Sequence, residues 1–77
     1  MGKFSKVANE LKRLRKMKGI TQKELSEETG LPLGSIKKYE SGHVQPNLTN
    51  ALKLVRYYKI DLLDLPFEPD NRHRMVK

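Results

Sequence analysis

Residues 21–42 read TQKELSEETGLPLGSIKKYESG, and this stretch decides the fold of the chain. Thr21 and Glu24 have the spacing of a capping box, in which each side chain bonds the backbone N–H of the other residue. A helix is therefore predicted to begin at Gln22. Gly30 is expected to end that helix, because glycine readily adopts the left-handed conformation that often follows a helix.

A second short helix is predicted after a brief turn. Pro32 suits the first helical position, where its missing N–H would have no partner anyway. The helix is expected to run to about Ser41 and to stop at Gly42, and its residues Ile36 and Tyr39 are expected to face inward. Two short helices joined by a turn that contains glycine form a helix-turn-helix motif, in which the second helix lies in the major groove of DNA.

Helices are also predicted on both sides of this motif. A first helix covers residues 5–18 and ends at Gly19. Its apolar positions are Val7, Ala8, Leu11, Leu14 and Met17. Asn47 is a good N-cap for a fourth helix, and Asp61 can cap a short fifth helix over residues 62–65. The inward positions of the fourth helix are Leu48, Ala51, Leu54, Val55 and Tyr58. Nothing is predicted as strand, so the fold class is all-α.

The chain has 77 residues, which is the size of one domain, and it contains no cysteine. The predicted domain covers residues 1–66, and residues 67–77 form an extended or disordered basic tail. Two isolated histidines, His43 and His73, do not make a metal site, so no metal or other cofactor is expected. No apolar run approaches the roughly 18 residues of a membrane span, and no signal peptide is recognisable. The composition favours a soluble, cytoplasmic protein.

The net charge of +7 is unevenly distributed along the chain. Seven lysines and arginines crowd residues 3–18 against Glu10 alone. Four acidic residues follow in residues 61–70, and the tail is basic again. A strongly basic region attracts acidic partners, and its position at one end of the domain suits a surface that docks on nucleic acid.

Residues 11–65 resemble the Cro/repressor-type (XRE-like) helix-turn-helix domain of phage repressors and small bacterial regulators. The matching residues are Arg15, Gly19-Ile20-Thr21-Gln22, Leu25, Gly30-Leu31, Ile36, Tyr39-Glu40-Ser41-Gly42, Pro46 and Tyr58-Lys59-Ile60. The chain departs from the family at Ser26, where alanine is usual, and at Pro32, where a serine or threonine cap is usual. The resemblance implies a compact, five-helix, lambda-repressor-like fold that binds DNA through its second and third helices.

The resemblance also implies an ion pair and a phosphate contact. In the family, Arg at position 15 and Glu at position 40 form a largely buried pair that joins the first and third helices. The planar guanidinium of Arg15 suits the carboxylate of Glu40. The family uses glutamine at position 22 to contact a DNA phosphate and sometimes to brace a residue of the recognition helix. The amide of Gln22 can do both, although simple solvent exposure is the alternative.

In this family the base-reading residues lie at the start and on the outer face of the third helix. Here they are Leu33, Gly34, Lys37 and Lys38. Leu33 can offer only apolar contact, most naturally to a thymine methyl, unless it packs within the protein. Gly34 reads nothing but lets the helix end approach DNA closely. Lys38 can donate to guanine, and Lys37 can do so or pair with a phosphate, unless both only face solvent.

Short polar residues around the third helix are expected to anchor phosphates, which positions a protein without specifying sequence. They are Thr21, Gln22, Ser35, Ser41, His43, Gln45 and Asn47. Ordinary loop polarity is the alternative for each loop residue. Residues 1–9, which include Lys3 and Lys6, are a further candidate as an arm on DNA.

The last third of the chain carries more apolar surface than a core requires. The residues concerned are Leu52, Tyr57, Leu62, Leu63 and Phe67. In related domains this end of the molecule makes a two-fold dimer, which spaces two recognition helices about one DNA turn, roughly 34 Å, apart. A homodimer is therefore expected through these residues, unless Phe67 folds back on its own core.

The leading hypothesis is a sequence-specific regulator of transcription that binds double-stranded DNA, acting as a repressor on a palindromic operator as a dimer. The alternative is a protein-binding module of the same fold, such as an antitoxin that holds a toxin through residues 67–77. Met1 and the charged tail favour a complete small regulator over a piece of a longer protein.

Other classes of protein fit less well. An enzyme is not expected, because the chain has no cysteine nucleophile, no glycine-rich phosphate loop and no cluster of acids with a basic partner. A membrane-binding helix over residues 3–18 would leave Arg15 and Gly19 unexplained. RNA binding would need exposed aromatic side chains for base stacking, and most aromatics here occupy core-like positions.

Overall fold

The computed structural model describes residues 3–68, which form four α-helices and one 3₁₀ turn. The elements are α1 (Ser5–Lys18), α2 (Gln22–Thr29), α3 (Leu33–Ser41), α4 (Leu48–Tyr58) and the 3₁₀ turn (Leu62–Asp64). Within this part of the chain there is no strand, which confirms the all-α class. None of these helices is both long enough and apolar enough to cross a membrane.

The predicted fifth α-helix is a single 3₁₀ turn, so the described residues hold four α-helices and not five. The Asp64 carboxylate accepts from the Asp61 N–H at 3.3 Å, and the Asp61 carbonyl accepts from the Asp64 N–H at 2.9 Å, which closes the turn within three residues. Leu65 then adopts an extended conformation, with φ −86° and ψ 128°. Pro66 favours this outcome, because the ring of a proline disfavours helical geometry in the residue before it.

The helix-turn-helix motif begins and ends close to its predicted positions. The Thr21 hydroxyl oxygen accepts from the Glu24 N–H at 3.0 Å, and the Glu24 carboxylate accepts from the Thr21 N–H at 2.8 Å. Gly30 follows α2 with φ +79°, as a left-handed cap should. Pro32 is the N-cap of α3 and lies outside its first turn, so the predicted start was one residue early. The Ser26 hydroxyl donates to the Leu31 carbonyl at 2.6 Å and ties α2 to the turn.

The core lies where α3 packs against α1 and α2, with α4 against α2 and the 3₁₀ turn against α4. Its buried members are Phe4, Val7, Ala8, Leu11, Leu25, Leu31, Ile36, Tyr39, Ala51, Leu54, Val55 and Leu65. The predicted inward position of Leu48 is wrong, because Leu48 is 64% exposed, and Met17, an apolar position of α1, is 72% exposed. Met17 follows Val7 by ten residues, which turns it about 80° away at 3.6 residues per turn. The buried part of α4 begins at Ala51, one turn after Leu48.

Hydrogen bonds hold both ends of the described chain, at Phe4 and Glu68, against the rest of the domain. Phe4 is buried, and its N–H donates to the Gly42 carbonyl at 3.0 Å. Residues 4–9 are therefore part of the folded domain, while the first two residues of the predicted DNA arm, residues 1–9, lie outside the described residues. At the other end, the Gln45 side chain and the backbone of Glu68 exchange two hydrogen bonds of 2.6 Å. The predicted tail beyond residue 68, with His73 and the hypothetical protein-binding role, lies outside the described residues.

Candidate nucleic-acid interface

α3 presents two different faces. Its buried residues are Ile36, Tyr39 and Glu40. Of the four residues predicted to read bases, Gly34, Lys37 and Lys38 are exposed, and Leu33 is half-buried at the edge of the buried face. The sequence therefore divides α3 into a face that anchors the helix and a face that is open to a ligand.

The start of α3 carries backbone N–H groups that have no acceptor within the helix. The Pro32 carbonyl accepts from the N–H groups of Ser35 and Ile36, both at 3.1 Å. The first two helical residues, Leu33 and Gly34, have no intrahelical acceptor, and no side chain caps them. A Cβ placed on Gly34 would meet nothing within 4 Å. The protein's own packing therefore does not require glycine there, and the space in front of it is free for a ligand.

An ion pair between α1 and α3 fixes how these two helices pack against each other. The Arg15 Nε lies 2.9 Å from Glu40 Oε2, and its Nη2 lies 3.0 Å from Glu40 Oε1. A third nitrogen, Nη1, donates to the Ile20 carbonyl at 2.8 Å. The side chains of Arg15 and Glu40 are 14% and 5% exposed. The hydrogen bonds that Arg15 donates to the Glu40 carboxylate raise the pKa of Arg15 above its usual value, which keeps the guanidinium charged.

Gln22 joins this pair from the first turn of α2. Its Nε2 donates to Glu40 Oε1 at 3.0 Å. The carboxylate of Glu40 therefore accepts from two side chains, as a buried charge must to offset its lost hydration. The second N–H of the Gln22 amide remains free to donate toward a phosphate while the first braces α3.

The capping box shapes what the start of α2 can offer. It occupies the Thr21 side chain and the N–H groups of Thr21 and Glu24. The N–H groups of Gln22 and Lys23 stand at the first two helical positions, where no intrahelical acceptor exists. A helix N-terminus of this kind favours an anion. The Thr21 hydroxyl acts only as an acceptor in the capping box, so its own O–H can still donate to a phosphate beside these backbone groups.

An open groove of about 590 Å³ runs along the C-terminal half of α3 and the following loop. Its lining residues are Lys37, Lys38, Ser41, His43 and Val44. The Ser41 hydroxyl donates to the Lys38 carbonyl at 3.1 Å and lies 2.6 Å from His43 Nδ1. These two contacts tie the loop to α3. Lys37 and Lys38 of α3 and His43 of the loop are exposed.

Two predicted phosphate contacts are engaged inside the protein. Both polar atoms of the Gln45 side chain bond to the backbone of Glu68, which leaves one N–H of its Nε2 to donate elsewhere. The Asn47 Oδ1 accepts from the Asn50 N–H at 2.9 Å and caps α4. The Nδ2 of Asn47 can still donate. Ser35, the third residue of α3, is half-buried.

The lysines of α3 are not neutralised by ion pairs. Within residues 3–68 the ion pairs are Arg13–Glu10 and Arg15–Glu40. Lys37 and Lys38 take part in neither pair, and both line the groove. This placement of unpaired charge on the open face is the electrostatic footprint of an anion-binding surface.

Asn9 and Lys12 of α1 were not among the residues predicted for the site. Both line a second cleft, of about 260 Å³, between α1 and the end of α3. The signal was present in the sequence, because Lys12 precedes Arg15 by three residues and so shares its side of the helix. Because Arg15 is predicted to form an ion pair with Glu40 of α3, residues on the same side of α1 as Arg15 should also approach α3.

The five residues predicted for a dimer interface differ in exposure. Leu52, Tyr57 and Leu62 are half-buried against the core of their own chain. The Tyr57 hydroxyl also donates to the Glu28 carboxylate, which raises the pKa of Tyr57 to about 12. Leu63 is 93% exposed and Phe67 is 38% exposed. Leu63 and Phe67 are therefore the members of this set that are most available to another molecule.

Comparison with known proteins places these features in context. Residues 11–65 match the protein family described as Helix-turn-helix. The cryptic phage CTXphi transcriptional repressor RstR of Vibrio cholerae serotype O1 (strain ATCC 39315 / El Tor Inaba N16961) is 35% identical over 60 residues. The aligned region covers 78% of this chain and 54% of that relative, so the chain spans about half of the relative's length. No solved structure matches the chain.

Proposed function

The chain belongs to the Cro/repressor-type helix-turn-helix family of DNA-binding regulators, and from this membership we propose that it represses transcription by occupying a specific double-stranded DNA site. The observation that carries the proposal is the outer face of α3. That face combines open space at Gly34, N–H groups without an intrahelical acceptor and two lysines that form no ion pair within residues 3–68. Repression needs only occupancy of a promoter, which a small domain can provide.

On DNA, α3 lies in the major groove with its N-terminal end toward the base edges. Leu33 contacts a thymine methyl, and Lys38 donates to guanine. Lys37 serves a guanine or a phosphate. The start of α2, with Gln22, holds a backbone phosphate, and the Gln22–Glu40 hydrogen bond keeps α2 and α3 in the geometry that this contact requires. Few side chains here carry hydrogen-bonding groups to bases, so DNA shape contributes to specificity.

The protein binds a palindromic operator as a homodimer. Leu63 and Phe67 form the exposed part of the interface, and the half-buried Leu52, Tyr57 and Leu62 border it. Support comes from the exposure of Leu63, because a side chain of this size gains most from burial when it is almost fully solvated. A two-fold dimer presents two copies of α3 to half-sites about 34 Å apart.

Selection from a pool of random duplex DNA at physiological salt tests this proposal. The full chain is incubated with the pool, and the bound fraction is amplified and sequenced over several rounds. A palindrome with half-sites about 10 base pairs apart, centre to centre, is the expected product. A single enriched half-site would reject the dimer and keep the sequence-specific contact. Weak, salt-sensitive binding without enrichment would reject sequence-specific repression altogether.

A further inference from the structure

We propose that the cleft between α1 and the C-terminal end of α3 binds a phosphate of the DNA backbone through the side chains of Asn9 and Lys12. This site rests on the proposed function, because it adds a contact to the same DNA. It differs from the expected phosphate anchors, which lie on α2, on α3 and in the loop before α4. It involves the side of α1 that faces α3.

The cleft lies next to the groove along α3, so it could extend the surface that contacts DNA. Its volume is about 260 Å³, and its walls are Ser5, Ala8, Asn9, Lys12, Glu40 and Ser41. Ser41 also lines the open groove that contains Lys37 and Lys38. The two depressions therefore meet at Ser41, and a DNA strand that follows α3 would pass directly to the cleft.

The donors in the cleft suit an oxyanion. The Lys12 ammonium carries three N–H donors and a positive charge, and the Asn9 amide carries two more donors. Lys12 takes part in neither of the ion pairs found within residues 3–68. A phosphate oxygen would supply the acceptor that these groups lack.

The acceptors near the cleft are already occupied. The Glu40 carboxylate, which forms part of the wall, is neutralised by Arg15 and also accepts from Gln22. The carbonyls at the end of α3 are engaged as well: the Lys38 carbonyl accepts from the His43 N–H at 3.1 Å, and the Gly42 carbonyl accepts from the Phe4 N–H. Negative charge in the wall is thus compensated within the protein, and Lys12 remains available to an external anion.

The dimensions of α3 place the cleft at the edge of the major groove. From Leu33 to Ser41 the helix rises about 12 Å, at 1.5 Å per residue. The major groove of B-form DNA is also about 12 Å wide. When the Leu33 end of α3 faces base edges, its Ser41 end reaches toward a wall of the groove, and that wall is made of phosphates.

Neutral-backbone DNA provides the test. The duplex obtained by selection is prepared as a series in which one phosphate at a time is replaced by an uncharged methylphosphonate. Binding of each duplex by the wild-type protein, Lys12→Ala and Asn9→Ala is measured by fluorescence anisotropy. Lys53→Ala is the matched control, because Lys53 is an exposed lysine of α4 that lines neither depression. Melting curves confirm that each variant is folded, and Lys12→Gln replaces Lys12→Ala if the latter is not.

We expect one phosphate position at which the methylphosphonate weakens DNA binding by the wild-type protein and by the Lys53→Ala variant. At the same position it should not weaken binding by the Lys12→Ala variant. Lys12→Ala should also lower the slope of log K against log salt concentration by about 0.9, the share of one phosphate contact. The cleft site would be overturned if Lys12→Ala and the wild-type protein had equal salt slopes and the same methylphosphonate pattern, while the wild-type protein still preferred the selected duplex. Loss of that preference in the wild-type protein would instead refute the proposed function.

Discussion

Gly34→Ala should make the protein more stable and a poorer DNA binder. Gly34 is the second residue of α3, and a Cβ built on it meets nothing within 4 Å. Its φ is not in the left-handed region, since the positive-φ glycines are Gly19, Gly30 and Gly42. The protein therefore has no packing or conformational reason for glycine at this position, and alanine is the better helix former.

The expected gain in stability follows from helix propensity. Glycine within a helix costs roughly 0.5–1 kcal/mol relative to alanine. For a domain of this size, 1 kcal/mol corresponds to about 4–8 °C in melting temperature, so the variant should melt about 2–8 °C above wild type. Gly30→Ala is the matched control. Gly30 has φ +79°, and alanine there should cost about 1–2 kcal/mol.

The DNA affinity of Gly34→Ala should move in the opposite direction. A methyl group forced into a closely packed contact costs about 1–3 kcal/mol. That range corresponds to a loss of roughly 5- to 150-fold in affinity for the selected duplex. Fluorescence anisotropy titrations at fixed salt measure the loss, and Gly30→Ala should bind normally at temperatures where it is folded. A Gly34→Ala variant that is stabilised and binds as tightly as wild type would show that the start of α3 does not approach DNA closely.

Three further substitutions test other parts of the account. Arg15→Ala should destabilise the fold by roughly 3–5 kcal/mol, because it leaves Glu40 buried and unpaired; urea unfolding measures this, and joint replacement of both residues by apolar ones should cost less. Lys38→Ala should weaken binding to the selected duplex more than binding to random DNA. An equal loss on both would make Lys38 a phosphate contact. Leu63→Glu should leave the melting temperature within a few degrees of wild type and shift sedimentation toward the monomer, whereas an unchanged dimer would exclude Leu63 from the interface.

Local signals in the sequence located the helices well. The start of α2 depends on Thr21 and Glu24, which are three residues apart and need no distant partner. The left-handed caps at Gly19, Gly30 and Gly42 depend on a single residue each. Features of this kind can be read from a short window, since the energy that fixes them comes from within it.

Long-range packing was harder to predict. Phe4 is buried because its segment bonds to Gly42, which lies 38 positions later in the chain. Gln45 is engaged by Glu68 through a contact that no periodicity reveals. The fifth helix was predicted from Asp61 as a cap, but the restriction that Pro66 places on the preceding residue limits it to one turn.

The candidate DNA-binding surface also combines a part that the sequence predicts with a part that depends on long-range packing. The outer face of α3 follows from helical periodicity together with the family resemblance. The cleft formed by α1 and α3 does not, because it depends on how two helices separated by α2 meet. Asn9 and Lys12 become candidates only when the Arg15–Glu40 pair is used to orient α1 against α3.

The most direct test of whether the outer face of α3 reads bases is a selection from random duplex DNA. It is carried out with the Leu33→Gln variant and with the wild-type protein. Glutamine pairs through two hydrogen bonds with adenine, whereas leucine favours a thymine methyl. The enriched sequence should therefore change toward adenine at one position in each half-site and stay the same elsewhere. Enrichment of one identical sequence by both proteins would contradict base recognition by this face of α3.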